Sequence, residues 1–202
     1  MKKSNIIEIS VALGLVLSII ASAVGFGFRC GEVREEVVRL HILANSDSEE
    51  DQRVKLAVRD ALLNCGEEMF SGAVNVDNAA DILNSQKSEL IETANAVLAE
   101  NGFDYNARIC LVKEYFSTRT YENFTMPAGE YLALKVILGK GEGHNWWCVM
   151  FPPLCLPAAA EKTELDAVFG SGGAKLVQSS PKYEMRFKIV EVFEEIKNRF
   201  KE

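Results

Sequence analysis

The sequence predicts an α+β protein: an N-terminal signal or transmembrane helix is followed by one domain, in which about three helices pack on a small mixed sheet. Strands are predicted because apolar and polar residues alternate at 37–43 and at 131–138. Helices are predicted because apolar residues recur every three or four positions at 49–65 and at 182–201. A chain of 202 residues, 48% hydrophobic and 25% charged, is long enough for one such domain.

The N-terminus is typical of a segment that meets a membrane. Lys2 and Lys3 precede a stretch, 9–28, that carries no charged residue and is about long enough to cross a bilayer as a helix. Ala21-Ser22-Ala23 has the small-x-small pattern of a signal peptidase site, so cleavage and retention both stay open. Either way we expect the rest of the chain to be exported, and we divide it into three parts: a signal peptide or membrane anchor at 1–28, a linker at 29–36 and a domain at 37–202.

The elements of the domain follow in order. The strand at 37–43 is expected to be half-buried, with Arg39 and His41 on its polar face. A helix at 49–65 follows, for which Ser46 or Ser48 can supply the cap and Gly66 the end. A second helix is predicted at 77–101, with Gly102 in the left-handed conformation after it.

The second half of the chain adds strands and a last helix. Strands are predicted at 108–115, 131–138 and 146–151, and the glycine-rich segment 139–145 is expected to be a mobile hairpin loop. A short helix and a flexible loop at Gly170 are expected within 158–180. The apolar stripe of the final helix is expected in the core. Its members are Met185, Ile189, Val192, Ile196 and Phe200.

Charge and cysteine content limit the classes of function. A net charge of −7, without a cluster of Lys and Arg, argues against a nucleic-acid partner. The chain has five cysteines, so at least one is free or pairs between chains. Outside the cytosol, a disulfide between Cys148 and Cys155 is one hypothesis, because the six residues between them can turn back. Buried free thiols are the alternative.

Candidate catalytic groups are few because the chain has only two histidines. His144 and Cys148 are the best nucleophilic pair, yet residues four apart on a strand stand about 13 Å from each other. A zinc site of His41, His144, Cys148 and Cys155 would need reduced thiols. The glycine loop lacks the Lys-Ser or Lys-Thr of a nucleotide-binding loop. We therefore predict no catalytic residue, metal or cofactor.

Three segments resemble the stage II sporulation protein R family. Residues 38–48, Val-Arg-Leu-His-Ile-Leu-Ala-Asn-Ser-Asp-Ser, are similar to its R-x-H-(I/V)-x-A-N-S-D-S opening. Residues 127–134 with 139–155, which include His-Asn-Trp-Trp-Cys-Val-Met-Phe-Pro-Pro, are similar to its second block. Residues 186–191, Arg-Phe-Lys-Ile-Val-Glu, resemble its third block.

This resemblance implies a signalling protein rather than an enzyme. Members of the family are exported from the forespore into the intermembrane space. There they activate the membrane-embedded aspartic protease that matures pro-sigma-E in the mother cell. The alternative function is a secreted cysteine- or zinc-dependent hydrolase of the cell envelope.

Two tryptophans offer the best signal for partner binding. On a strand Trp146 and Trp147 point to opposite faces, so both are covered only if each face is packed. We expect the partner-binding surface to combine this pair with polar residues of the first strand and two loops, and the alternative is a structural polar network between those loops. The predicted surface residues are Arg39, His41, Asn45, Asp47, His144, Asn145, Trp146 and Trp147.

Overall fold

The computed structural model describes residues 3–121, 124–154, 162–178 and 181–200. The helices are α1 (Lys3–Glu35), α2 (Glu49–Met69), α3 (Val76–Ser85), α4 (Lys87–Glu100), α5 (Lys162–Val177) and α6 (Pro181–Arg199). The strands are β1 (Val38–Leu43), β2 (Ala107–Phe116), β3 (Arg119–Thr120), β4 (Thr125–Met126), β5 (Gly129–Leu138) and β6 (Asn145–Phe151). The predicted α+β class, with a small mixed sheet and an N-terminal apolar helix, is confirmed.

Four strands form one mixed sheet in the order β2-β5-β1-β6. β1 is parallel to β5 and antiparallel to β6, while β2 and β5 are antiparallel. The chain can pair β1 and β5 in parallel because three α-helices and the strands β2, β3 and β4 lie between them, which gives a long crossover connection. β3 and β4 form a separate two-stranded ladder. This order places β1 in the interior of the sheet and β6 at its edge.

Helices cover both faces of the sheet. One core lies between the sheet and the α2–α4 layer, and includes Leu40, Ile42 and Val136. The other lies against α1, α5 and α6, and includes Tyr131 and Val149. The prediction that the first strand is half-buried is wrong. The second layer of helices covers the polar face of β1, so both faces of this strand are buried.

Helix α2 begins as predicted, with the Ser48 hydroxyl accepting a hydrogen bond from the Asp51 amide at 3.2 Å. The predicted end at Gly66 is wrong, since the helix continues to Met69. Gly66 is buried, and a Cβ atom there would stand 3.2 Å from Met150 Cε and 3.4 Å from Phe70. This glycine therefore allows close packing rather than ending the helix.

The structure also corrects the predicted helix at 77–101 and the predicted loop at Gly170. The single helix predicted at 77–101 is two helices that meet at Gln86, while Gly102 has the expected left-handed backbone, with φ of 82°. The loop expected at Gly170 lies within α5, where this residue introduces a kink with φ of 61°. Part of the predicted 158–180 segment lies outside the described residues.

Helix α1 combines a stretch that is long and apolar enough to cross a membrane with a stretch that packs on the domain. By length and composition Ile6–Glu35 can cross a membrane, a property that N-terminal signal sequences share, so the helix is compatible with export or with anchoring. Its apolar side chains are exposed up to Val24. Further on, Phe26, Cys30 and Val33 are buried in the second core. Residues 29–35, predicted to be a linker, are thus helical and packed on the domain.

Helix α6 exposes the stripe that was expected in the core, so that expectation is wrong. Phe187 and Val190 are buried instead, because α6 packs on α1 through the neighbouring face. The side chain of Met185, which belongs to the same predicted stripe, lies outside the described part of the structure. The exposed side chains, with their exposed fractions, are Ile189 (59%), Val192 (47%), Phe193 (64%), Ile196 (51%) and Phe200 (86%).

Candidate partner-binding surface

The predicted surface residues gather around β1 and the edge strand β6. In the antiparallel register His41 stands opposite Trp147, and Ile42 stands opposite Trp146. Side chains alternate along each strand, so His41 and Trp147 share the face covered by α1, whereas Trp146 points to the other face. The two tryptophans therefore separate as the sequence predicts.

Arg39 lies beneath this surface. Its side chain is fully buried, with 0% exposure. Nε donates to Cys148 O at 2.9 Å and Nη2 donates to the Tyr121 hydroxyl at 2.7 Å. The guanidinium also stands 4.5 Å from the Phe116 ring centroid and 5.0 Å from that of Tyr131. From inside the domain, Arg39 therefore contacts β6 and the rings of Phe116 and Tyr131. In this conformation a partner cannot reach the Arg39 side chain.

His41 is also inside, with 6% of its surface exposed. Its Nδ1 lies 2.9 Å from Glu114 Oε2, and its Nε2 lies 3.0 Å from Asn145 Oδ1. Lys135 Nζ donates to the other oxygen of Glu114 at 2.8 Å. Burial opposes ionisation of Glu114, but the hydrogen bonds from Lys135 and His41 outweigh it and hold the pKa of Glu114 below its usual value.

The ring of Trp147 connects this buried group to the surface. It stacks on the imidazole of His41, with centroids 5.5 Å apart and planes 18° apart. On the same ring lies the guanidinium of Arg119, 3.9 Å from the centroid. On the opposite face of the sheet, Arg59 stands 4.6 Å from the centroid of Trp146. We call these four residues the tryptophan edge: Arg59, Arg119, Trp146 and Trp147.

Asn45, Asp47 and His144 join the β1–α2 loop to the glycine-rich β5–β6 loop. His144 N donates to Asp47 Oδ1 at 2.6 Å, and the His144 ring also contacts this oxygen. Gly143 N donates to Ala44 O at 2.9 Å, and Lys140 N donates to Asn45 Oδ1 at 3.0 Å. The side-chain and backbone hydrogen bonds from His144 lower the pKa of Asp47. We call this set of contacts the loop junction, and it holds in place the segment that was expected to be mobile.

Two buried charged residues beneath the loop junction, Asp51 and Lys55, were not predicted from the sequence. Burial raises the pKa of Asp51, but hydrogen bonds from Ser46, Tyr105 and Asn45 outweigh it and lower the pKa. Burial lowers the pKa of Lys55, which donates to His144 O at 2.9 Å. A signal for both residues existed. Positions 51 and 55 share the helix face of the buried 54, 58 and 62, so their spacing alone places them inside.

The eight residues predicted to bind a partner differ in how far they are exposed to solvent. Asp47, His144 and Asn145 are exposed, while Asn45, Trp146 and Trp147 are half-buried. Arg39 and His41 are buried. Arg59, Arg119, Glu114 and Tyr121 were not predicted, because they reach the site from elements far away in the sequence.

Of the groups proposed for a hydrolase or zinc site, the His144 ring contacts Asp47, and the His41 ring contacts Glu114 and Asn145. Cys148 is disulfide-bonded, and its predicted partner Cys155 lies outside the described residues, so their pairing stays a prediction. Cys30, Cys65 and Cys110 are free thiols. Within the described ranges, no group of three or more His, Cys, Asp or Glu side chains is arranged to hold a metal ion.

These features define an α+β domain that carries an apolar N-terminal helix, a tryptophan edge and a polar junction between two loops. The profile of the family described as Stage II sporulation protein R matches residues 34–161, which is most of this domain. The chain belongs to that family. The match ends before the 186–191 segment that resembles the third block.

One similar curated protein is Stage II sporulation protein R of Bacillus subtilis (strain 168). The two chains are 37% identical over 123 residues, which is 61% of this chain and 55% of that relative. This chain therefore matches little more than half the length of the relative. No solved structure matches the chain.

Proposed function

We propose that this protein is an exported sporulation signal that activates the membrane-embedded aspartic protease maturing pro-sigma-E. Membership of the Stage II sporulation protein R family, over residues 34–161, is the observation that carries the proposal. The apolar helix α1 supports export, because it meets the length and composition requirements of a signal sequence or a membrane anchor.

In this proposal the chain is made in the forespore and acts in the space between forespore and mother cell. It remains there as a secreted protein or through α1 as an anchor. The protein acts as a ligand and not as an enzyme. One observation supports this second point: Cys148 is disulfide-bonded and so has no thiolate to attack a substrate.

The tryptophan edge and the exposed part of the loop junction are the proposed contact surface. Tryptophan and arginine are the residue types that contribute most to protein–protein binding when a partner covers them. Here Arg119 and Trp147 stack at 3.9 Å beside the exposed Asn145. A partner strand or loop that covers them would bury both the cation and the ring.

The test is an immunoblot for pro-sigma-E cleavage in non-sporulating cells that express the protease and its substrate, with and without this protein. We expect cleavage only when the full-length chain is present, and none when residues 1–23 are removed before export. If cleavage does not depend on the protein, while His144→Ala abolishes hydrolysis of an envelope substrate, the signalling function is wrong and the hydrolase alternative replaces it.

The contact surface is tested in the same cells with Arg119→Ala. Arg119 makes the ring contact from outside and is not part of either core. We expect weaker cleavage at equal protein level. Arg108→Ala is the matched control, because Arg108 is an exposed arginine on β2, at the far edge of the sheet.

A further inference from the structure

Cys148 lies within the proposed contact surface, directly after Trp147 on β6. Its side chain is 2% exposed and belongs to the first core, and its backbone oxygen accepts the hydrogen bond from Arg39 Nε. In the described sheet β6 has one strand neighbour, β1. An edge strand is held by fewer ladder hydrogen bonds than a central strand. A covalent bond at Cys148 therefore restrains β6 where the ladder restrains it least.

The disulfide bond of Cys148 has one partner available in the chain. The sequence contains five cysteines, and three of them, Cys30, Cys65 and Cys110, are free thiols in the structure. Cys155 is the one that remains. A bond between positions 148 and 155 closes a loop of eight residues.

The free thiols are held away from Cys148. Cys110 lies on β2, three strands from β6, which is about 14 Å at the usual strand spacing. Cys30 is buried in the second core, whereas Cys148 is buried in the first. The sulfur of Cys65 lies 3.9 Å from the Thr93 hydroxyl. The fold thus favours one disulfide over the mispaired alternatives.

The residues that follow β6 connect the two cores. Phe151, the last residue of β6, is buried in the first core, and Leu154 is buried in the second. The chain therefore crosses the edge of the sheet between these two residues. A bond from Cys148 to the residue after Leu154 closes a short loop around this crossing, and a short loop limits how far the end of β6 can move. Trp147 is held with it.

We propose that the Cys148–Cys155 bond forms only after export and completes the tryptophan edge, so that the chain becomes an active signal outside the cytosol. This inference rests on the proposed function and adds an oxidation step that controls the contact surface. Cytosolic thiols are kept reduced, whereas a disulfide persists beyond the membrane. We call this bond the β6 lock.

The oxidation needs an electron acceptor. The two thiols give up two electrons and two protons to the active-site disulfide of an exported thiol–disulfide oxidoreductase, which leaves as a dithiol. The Cys148 side chain is buried once the domain is folded, so the lock forms while the exported chain folds and is then shielded from reductants.

Cyanogen bromide tests the pairing in the exported full-length chain, after free thiols have been blocked with iodoacetamide. Cleavage after each methionine places Cys148 in fragment 127–150 and Cys155 in fragment 151–185, and neither fragment contains another cysteine. We expect the two fragments to migrate together without reductant and apart with it.

The effect on signalling is measured as pro-sigma-E cleavage in cells that express the protease. The lock variant carries Cys148→Ala and Cys155→Ala, and the matched control carries Cys65→Ala and Cys110→Ala at two half-buried free thiols. At equal protein level, we expect the lock variant to reduce cleavage about tenfold or more, as loss of a binding hot spot does. The control should cleave as the wild type does.

Tryptophan fluorescence separates loss of the tryptophan edge from loss of folding, because Trp146 and Trp147 are the two tryptophans of the chain. We expect the purified full-length lock variant to emit at longer wavelength than the wild type, while the far-ultraviolet circular dichroism of its helices is unchanged. Unchanged emission would contradict the inference. Loss of the helical signal as well would contradict it too, because the bond would then hold the whole domain.

The remaining outcomes separate this inference from the proposed function. If the two fragments migrate apart without reductant, or if the lock variant cleaves within twofold of the wild type, the inference is wrong and the signalling function stands on the activity of the wild type. If the wild type does not trigger cleavage although its fragments are linked, the proposed function fails, and the inference fails with it.

Discussion

The guanidinium of Arg39 occupies an environment in which an isolated charge is costly. Two hydrogen bonds and the faces of three aromatic rings surround it, and its Nη1 atom is buried without a hydrogen-bond partner. Within the described ranges no carboxylate pairs with it. The aromatic rings therefore provide most of the compensation for its lost hydration, through their negative faces.

Replacing Arg39 should test this compensation. We expect Arg39→Ala to lower the free energy of unfolding by about 2–4 kcal/mol, since two charge-assisted hydrogen bonds and the ring contacts are lost. Arg39→Lys should also be destabilising, because an ammonium group cannot reproduce the planar fork. Urea unfolding of the purified variants measures both. An Arg39→Ala variant as stable as the wild type would show that the rings do not depend on the cation.

The Glu114 carboxylate should make stability dependent on acid. Its pKa is lowered from 4.5 in the folded state, so the unfolded chain binds a proton more readily than the folded chain does. The stabilisation is present above the unfolded pKa and is lost as the pH falls below about 4.5, through the lower folded pKa. We expect urea midpoints to fall between pH 5 and pH 3, and Glu114→Gln to reduce this fall. Glu67→Gln, at an exposed carboxylate on α2, is the control and should leave the fall unchanged.

At the scale of elements, the loop junction depends on a close approach of two backbones. A Cβ atom on Gly143 would strike the backbone carbonyl of Ser46, which cannot move without breaking the loop contacts. We expect Gly143→Ala to cost about 1–3 kcal/mol of stability, as overpacking does. Gly72→Ala is the control, because that position has open space around it. Equal unfolding midpoints for the two variants would mean that the loops separate at little cost.

The sequence indicates where most elements lie but not what covers them. The strand at 131–138 follows from alternation, and the strand at 146–151 follows from a continuous apolar run. Helix α2 follows from its apolar spacing. Spacing identifies a stripe, whereas tertiary packing decides whether a second layer covers it. For this reason the polar face of β1 is buried and the apolar stripe of α6 is exposed. The break at Gln86 carries no glycine or proline and so gave no local signal.

The same distinction applies to the candidate site. The loop junction between Asp47 and His144 brings together residues from two segments that were singled out in the sequence. The partners of Trp146 and Trp147 could not be identified from the sequence, because Arg59 lies on α2 and Arg119 on the β3–β4 ladder. The packing of those two elements on the sheet, and no local pattern, brings each arginine to its ring.

At the scale of the molecule, α1 has two parts. The part up to Val24 exposes its apolar side chains and is compatible with export or anchoring, whereas Phe26, Cys30 and Val33 are buried in the second core. The predicted signal peptidase site at 21–23 lies near the end of the exposed part. Cleavage after Ala23 would therefore release the membrane segment and leave the core contacts of the helix intact.

Two truncations of the chain should separate the contributions of these two parts of α1. We expect a chain lacking residues 1–23 to unfold cooperatively in urea and to keep its near-ultraviolet circular dichroism. A chain lacking residues 1–35 loses Phe26 and Val33, each worth about 1.5–3 kcal/mol when buried. Since domains are stable by only about 5–15 kcal/mol, a loss of about 3–6 kcal/mol should lower the unfolding midpoint of the shorter chain strongly. In the longer chain, Phe26→Ala alone should cost about 3–5 kcal/mol. If both truncated chains have the same unfolding midpoint, α1 does not contribute to the core, and the domain begins at β1.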